Sequence, residues 1–326
     1  MIKYIFFIVL SLFCFESISQ QMPQYSQYLR NQYMINPGAA GVYDFMDITV
    51  GGRMQWVGFT DAPMTSYLSI TSPIGGNKSE KKISNPGLHL STGIVKNPEI
   101  NTGKFKHAVG GQVVADQYGA FRKLQFSGTY AIHMPITQTY NLSFGTKLGL
   151  TNNSFLQDRA VVANASTITD NTYSGFIANS GSVNVMNLGV GLYFYSNKLF
   201  LGITGDQLTR NLVHFGSGTA SFDPKMHFNI TGGIKLPIKE SLTITPAFLV
   251  KYMDPSSPSL EGSVQLEFKE WLWTAVTYRH TDAIVGMLGM NISNRFKFGY
   301  SYDFSINQFK NYSSGGHEIV LGIMLR

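Results

Sequence analysis

Residues Asn294 to Phe304 separate into two faces with a strict period of two. Phe296, Phe298, Tyr300, Tyr302 and Phe304 lie on one, and Arg295, Lys297, Gly299, Ser301 and Asp303 on the other. Alternation of this kind fixes the backbone as a strand. A continuous aromatic face opposite charges suits a strand with lipid on one side and a wet lumen on the other. The pattern recurs. Leu142, Phe144, Leu148 and Leu150 oppose Ser143, Gly145, Lys147 and Gly149; Phe126, Tyr130 and Ile132 oppose Gln125, Ser127 and Thr129; Phe228, Ile230 and Ile234 oppose Asn229, Thr231 and Lys235; Ile48, Val50 and Met54 oppose Thr49, Gly51 and Arg53. Polar faces of Gly, Ser, Thr and Lys make poor cores and good cavity linings.

Composition narrows the class. Charged residues make up 13% of the chain, about half the ~25% of a soluble domain. After residue 20 no apolar run approaches the ~18 to 20 residues of a membrane helix. The remaining spanning solution is a closed barrel, whose strands satisfy every backbone group. The sequence therefore predicts an all-β protein, a transmembrane antiparallel β-barrel of the outer membrane. Strands are expected near 46–57, 63–73, 87–96, 105–116, 121–134, 139–151, 184–196, 198–206, 226–236, 241–252, 259–269, 271–281, 283–293, 294–304 and 316–326. Because a closed bacterial barrel takes an even number, the segment 87–96 is read as an excursion above the membrane, leaving about 14 strands. Trp271, Trp273 and Tyr278, with Tyr193 and Tyr195, are expected in interfacial girdles. Asn197-Lys198 and Ser293-Asn294 read as periplasmic turns. Gly75 to Pro86, Asn152 to Ser182, Leu208 to Pro224 and Tyr252 to Pro258 read as long loops, the second a candidate recognition loop.

The start of the chain has the form of a secretory signal over residues 1–19, with a basic Lys3, an apolar run from Tyr4 to Phe15 and a small-x-small site at Ser17-Ile18-Ser19. The single cysteine, Cys14, lies inside it, so the mature protein is expected to hold neither thiol nor disulfide. Residues 20–43 form an N-terminal segment in which Tyr25, Tyr28, Leu29 and Tyr33 recur at helical spacing until Asn36-Pro37-Gly38. That spacing predicts a short amphipathic helix, placed as a lumenal plug, a periplasmic contact or a lead into the first strand. Residues 44–326 form the barrel.

Arg53, Lys123, Lys147, Lys235, Lys251, Lys269, Arg295 and Lys297 fall on expected lumenal faces against fewer acids, Glu267 and Asp303 among them, which predicts a net basic lumen. Such a lumen attracts an acidic segment or selects anions; alternatively the charges pair across strands and hydrate the interior. Arg53 and Trp56 are candidates for a structural or partner-contact role. The net charge of +6 comes with no basic run interleaved with stacking aromatics, so no nucleic acid is expected as a partner. Seven histidines form no H-E-x-x-H or other metal spacing, and His317-Glu318 reads as a turn entering the last strand. No catalytic, cofactor or metal site is assigned. Gly51-Gly52, Gly110-Gly111 and Gly232-Gly233 precede no helix and read as points of strand curvature.

Pro23-Gln-Tyr-Ser-Gln-Tyr28, Asn36-Pro-Gly-Ala-Ala-Gly41 and Arg53-Met-Gln-Trp-Val-Gly58, with Ala62-Pro63 and Thr65, resemble the opening signature of the PorP/SprF family of outer-membrane proteins. Asp116-Gln-Tyr-Gly119, Gly191-Leu-Tyr-Phe-Tyr-Ser196, Pro246-Ala-Phe-Leu-Val-Lys251, Tyr278-Arg279, Gly299-Tyr-Ser-Tyr-Asp-Phe304 and Gly316-His-Glu-Ile319 are similar to its later blocks, in the same order. The resemblance covers essentially the whole mature chain. It implies an accessory barrel of the type IX secretion system that supports export and surface retention of adhesins, with membrane lipids, an adhesin C-terminal domain and other secretion components as partners. The residues alone also admit a substrate-selective or general porin with a basic lumen.

Overall fold

A computed structural model of the chain describes residues 23–75, 100–156, 159, 182–209, 214–215, 225–253, 256–269, 271–293 and 295–325. Fourteen antiparallel strands form the wall. They are β1 (Met46–Met54), β2 (Met64–Ile74), β3 (Lys106–Tyr118), β4 (Phe121–Pro135), β5 (Asn141–Phe155), β6 (Ser182–Tyr195), β7 (Leu199–Asp206) and β8 (His227–Ile234, continued past Lys235 by Leu236–Lys239). The wall continues with β9 (Leu242–Met253), β10 (Ser259–Phe268), β11 (Leu272–Arg279), β12 (Ala283–Asn291), β13 (Phe296–Ser305) and β14 (Gly316–Leu325). A two-residue strand, His214–Phe215, pairs with β6 beyond the end of β7. Each wall strand pairs with its sequence neighbours, and β14 returns to β1 in a register running from Met46↔Leu325 to Met54↔His317. Closure leaves no open edge, the condition for strands in hydrocarbon. The segment 87–96, read from the sequence as an excursion, lies outside the described residues.

Side-chain parity sorts the wall as the alternation requires. Val50, Phe126, Leu148, Val276 and Leu321 are each about half exposed on the outer face, a surface that lipid covers. Their neighbours Thr49, Thr129, Thr277, Ser301 and Glu318 are buried within. Parity also corrects the girdle expectation. Tyr278 is exposed, but Trp273, Tyr193 and Tyr195 are buried, because each follows an outward Leu272, Leu192 or Phe194 and so points inward.

The direction of β1 and the even strand number place both termini of the barrel at one end. The short turns 136–140, 196–198, 240–241, 269–271 and 292–295 lie there, as do the strand ends Ile74 and Lys106. The connections 55–63 and 306–315, the short links 119–120 and 280–282, and the strand ends that flank the long stretches after β5 and β7 lie at the other end. Outer-membrane barrels keep short turns periplasmic and long loops outside, which makes the terminal end periplasmic.

The N-terminal segment runs inside the barrel. It makes three 3-10 turns, Tyr28–Arg30, Gln32–Met34 and Pro37–Ala39, rather than one amphipathic α-helix. The reason lies in where its tyrosines go. Tyr25 meets Tyr67 of β2 edge-on at 5.2 Å, the Tyr28 hydroxyl pairs with Ser263 of β10 at 3.2 Å, and Tyr33 donates to Thr129 of β4 at 3.0 Å. An α-helix would stack these residues on one stripe. A segment enclosed by wall on every side gains more by sending them outward in several directions. Asn36 sets the last turn, its side chain accepting from the Gly38 N–H at 2.8 Å ahead of Pro37.

Candidate functional site: the occupied lumen

Lumen-facing glycines shape the groove that the segment occupies. A Cβ on Gly145 of β5 would collide with the backbone of Pro37 and Gly38, and one on Gly191 of β6 with Asn36. Gly110 of β3 is faced by the Tyr33 ring, Gly202 of β7 by Asn36 and Gly299 of β13 by Gln27. Gly41 has φ of +69° and packs against Ala108, a backbone that favours glycine. Polar groups of the wall then fix the segment. Asn36 Nδ2 donates to Leu192 O at 2.9 Å, Gln112 Nε2 to Tyr33 O at 2.8 Å, and His133 Nε2 bonds Ala40 O at 2.8 Å. Tyr193 donates to Gln32.

Towards the outer end the segment joins a buried charge network. Arg53 of β1 pairs with Asp303 of β13 at 2.8 Å and approaches Glu318 of β14 at 3.9 Å. Arg279 of β11 meets the same Asp303 oxygen at 3.1 Å, Asp282 at 3.0 Å and Glu261 of β10 at 3.5 Å. Lys251 of β9 closes on Glu261 at 2.5 Å. Glu318 also accepts from Tyr67 at 2.8 Å and from the Ser26 N–H at 2.6 Å. The Ser26 hydroxyl donates to Asp303 at 3.0 Å and lies against Arg53. Ser26 is thereby tied to three strands at once, which couples the position of the N-terminal segment to the closure of β14 on β1.

The predicted cations distribute unevenly. Lys147 pairs with Asp206 at 2.5 Å and Lys297 with Asp47 at 2.7 Å. Lys123 sits in the field of Asp206 and Asp116. Lys235 is half-buried at the periplasmic mouth. Arg295 and Lys269 are exposed in turns outside the lumen, since β13 begins only at Phe296 and β10 ends at Phe268. Trp56 lies past the end of β1 with φ of +51°, its ring packed at a tilt against Phe309 at 5.0 Å, so it does not join Arg53 in the network. The expected net basic lumen is corrected by Asp47, Asp116, Asp206, Glu261 and Glu318, which the sequence reading left out. Glu261 shares parity with Ser263 and Gln265, and Glu318 with Val320 and Gly322; carrying the alternation to the strand ends would have found both. Among the described residues no group of three or more His, Cys, Asp or Glu could hold a metal ion.

The type IX secretion system membrane protein family PorP/SprF matches the chain over residues 17–323. The chain belongs to this family. The PorP/SprF blocks recognised in the sequence converge in space: Ser26, Arg53, Asp303 and Glu318 come from four of them and meet in one network, while Asn36-Pro37-Gly38 of a fifth sits on Gly191 of a sixth. Among solved structures, the Pseudomonas putida toluene transporter TodX is 8% identical with a TM-score of 0.46, covering 90% of this chain and 92% of that one. A Pseudomonas aeruginosa FadL homologue is 9% identical with a TM-score of 0.47, covering 89% and 92%. The translocator domain of the Neisseria meningitidis autotransporter NalP is 10% identical with a TM-score of 0.43, covering 86% and 88%. These likenesses carry no argument about activity. None of the curated proteins compared matches the chain.

Proposed function

We propose that this outer-membrane barrel is an accessory of type IX secretion that supports export and surface retention of adhesins by docking their C-terminal domain. In this reading residues 1–19 are a cleaved export signal, residues 20–43 close the lumen, and residues 44–326 form the barrel. The observation that carries it is the occupied lumen: a segment bonded to β2, β3, β4, β6, β10, β13 and β14 suits a barrel that binds a protein rather than one that passes solutes. The lumenal cations Arg53, Lys147, Lys251, Arg279 and Lys297 support it too, because each is paired with an acid and paired charges leave little field with which to select anions. The porin reading has no comparable observation in its favour.

The test is purification of the tagged barrel from native membranes in mild detergent, together with adhesin display in a deletion strain. An adhesin C-terminal domain recovered near one-to-one, with display lost on deletion, is the expected result. Normal display without the barrel would overturn the proposal.

A further inference from the structure

The periplasmic mouth is chemically unlike the rest of the barrel. A cavity of ≈ 1180 Å³, counting its open mouth, is lined in part by Val42, Phe45, Ile100, Tyr195, Phe200 and Met324. Its floor is one packed apolar cluster built around Val42, Ile100, Tyr193, Tyr195 and Phe200. Lys235 lines the cavity, and its backbone N–H donates to Lys198 O at 2.6 Å, so two lysines stand side by side at the rim. Acids at this mouth are already engaged: Asp44 by Lys106, Asp47 by Lys297 and Glu267 by Arg30. Among the described residues Lys104, Lys198, Lys235, Lys239, Lys269 and Arg295 have no ion pair, and of the acids at this end only Glu240 is likewise unpaired. Among the described residues the mouth therefore combines an apolar floor with a surplus of free positive charge.

We infer that this vestibule binds an acidic peptide segment carrying apolar or aromatic anchors, presented from the periplasm. Charge complementarity selects the sign of the partner and steers its approach. The floor cluster is a rigid base, and the partly buried Leu29 and Tyr43 packed against it offer the apolar contact that holds the anchors. The cavity argues for a peptide over lipid headgroups, because Lys235 faces into the lumen and away from the bilayer. The inference deepens the docking reading by naming a site and a partner chemistry, yet its test needs no adhesin.

The probe is a labelled twelve-residue peptide alternating glutamate and phenylalanine, with lysine/phenylalanine and glutamate/serine versions as controls, titrated against the purified full-length barrel. The glutamate/phenylalanine peptide is expected to bind, to weaken as salt is raised, and to lose at least about tenfold in affinity in the Lys198→Glu/Lys235→Glu variant. Lys239→Glu/Lys269→Glu, an equal charge change at two exposed positions that do not line the cavity, should leave affinity within about twofold. Lys198→Gln/Lys235→Gln replaces the reversal if that variant fails to assemble. Absence of binding, equal loss in both double variants, or equal binding of the glutamate/serine peptide would each overturn the inference. So would displacement of the peptide by phosphatidylglycerol vesicles that bind through Lys239 and Lys269, which would mark a lipid surface instead. Peptide binding with normal adhesin display in a deletion strain would keep this site and remove the docking function; the converse would do the opposite.

Discussion

Arg53 shows what one side chain does in a closed lumen. Its guanidinium lies 2% exposed between Asp303 and Glu318, and of these two acids Asp303 keeps a second cation, Arg279. Removing the arginine leaves Glu318 buried among neutral donors. Breaking a buried pair from one side costs about 3–5 kcal/mol, so Arg53→Gln should lower the temperature at which the folded barrel loses its compact band in heat-modifiability gels. Adding Glu318→Gln to that variant should restore part of the loss, since the two effects are coupled. Simple addition of the two losses would show that the pair does not act as a unit. Lys147→Gln should cost less, because its partner Asp206 is 21% exposed at the side chain and partial solvation softens the loss. Residues of this kind were half legible in the sequence. Strand parity placed Arg53 and Lys147 inward, but Glu318 beside a Gly-Gly turn reads locally as loop. Parity puts Trp273 on the inner face, but nothing local supplies its partner Arg30, which lies 5.3 Å from its ring.

At the scale of elements, the strands were legible because lipid and lumen impose opposite demands on alternate residues, and that demand is written locally. The N-terminal segment was not, because its conformation is set by walls far away in sequence. Tyr25, Tyr28 and Tyr33 at helical spacing predict a helix, and only the positions of Tyr67, Ser263 and Thr129 explain why three 3-10 turns replace it. Gly110-Gly111 reads locally as a point of curvature, yet Gly110 faces the Tyr33 ring, and Gly145 and Gly191 stand where the backbone at Asn36-Pro37-Gly38 comes closest to the wall. Gly145→Val should therefore expel the segment while sparing the strand, since valine suits β structure. With Cys14 the only native cysteine, a Gln24→Cys reporter can be labelled with a bulky maleimide. Labelling is expected to be slow in the parent and much faster with Gly145→Val. Unchanged labelling would mean that the glycine groove does not hold the segment.

For the whole molecule, the consequence is a barrel wide enough to conduct whose lumen is filled from within. Fourteen strands enclose a lumen intermediate between the side-chain-filled eight-stranded barrels and the open porins. Here the filling comes from one continuous stretch of the same chain, anchored from β2 round to β14, and from charges that neutralise each other across strands. Every wall strand is paired on both sides without the segment's help, so the wall has what it needs to stay closed when the segment is gone. Deleting residues 23–43 should then leave a heat-modifiable barrel that conducts ions in a planar bilayer, whereas the full chain conducts little. The opened pore should also show only weak ion selectivity, because removing the segment takes away Arg30 but leaves the Lys147–Asp206 and Lys251–Glu261 pairs in place. A full chain that conducts as strongly as the deletion would mean that the segment is not the seal, and would return the porin reading to the front. A deletion that fails to assemble would instead make the segment part of the folding core, with the Ser26 contacts to Asp303 and Glu318 helping to close β14 on β1.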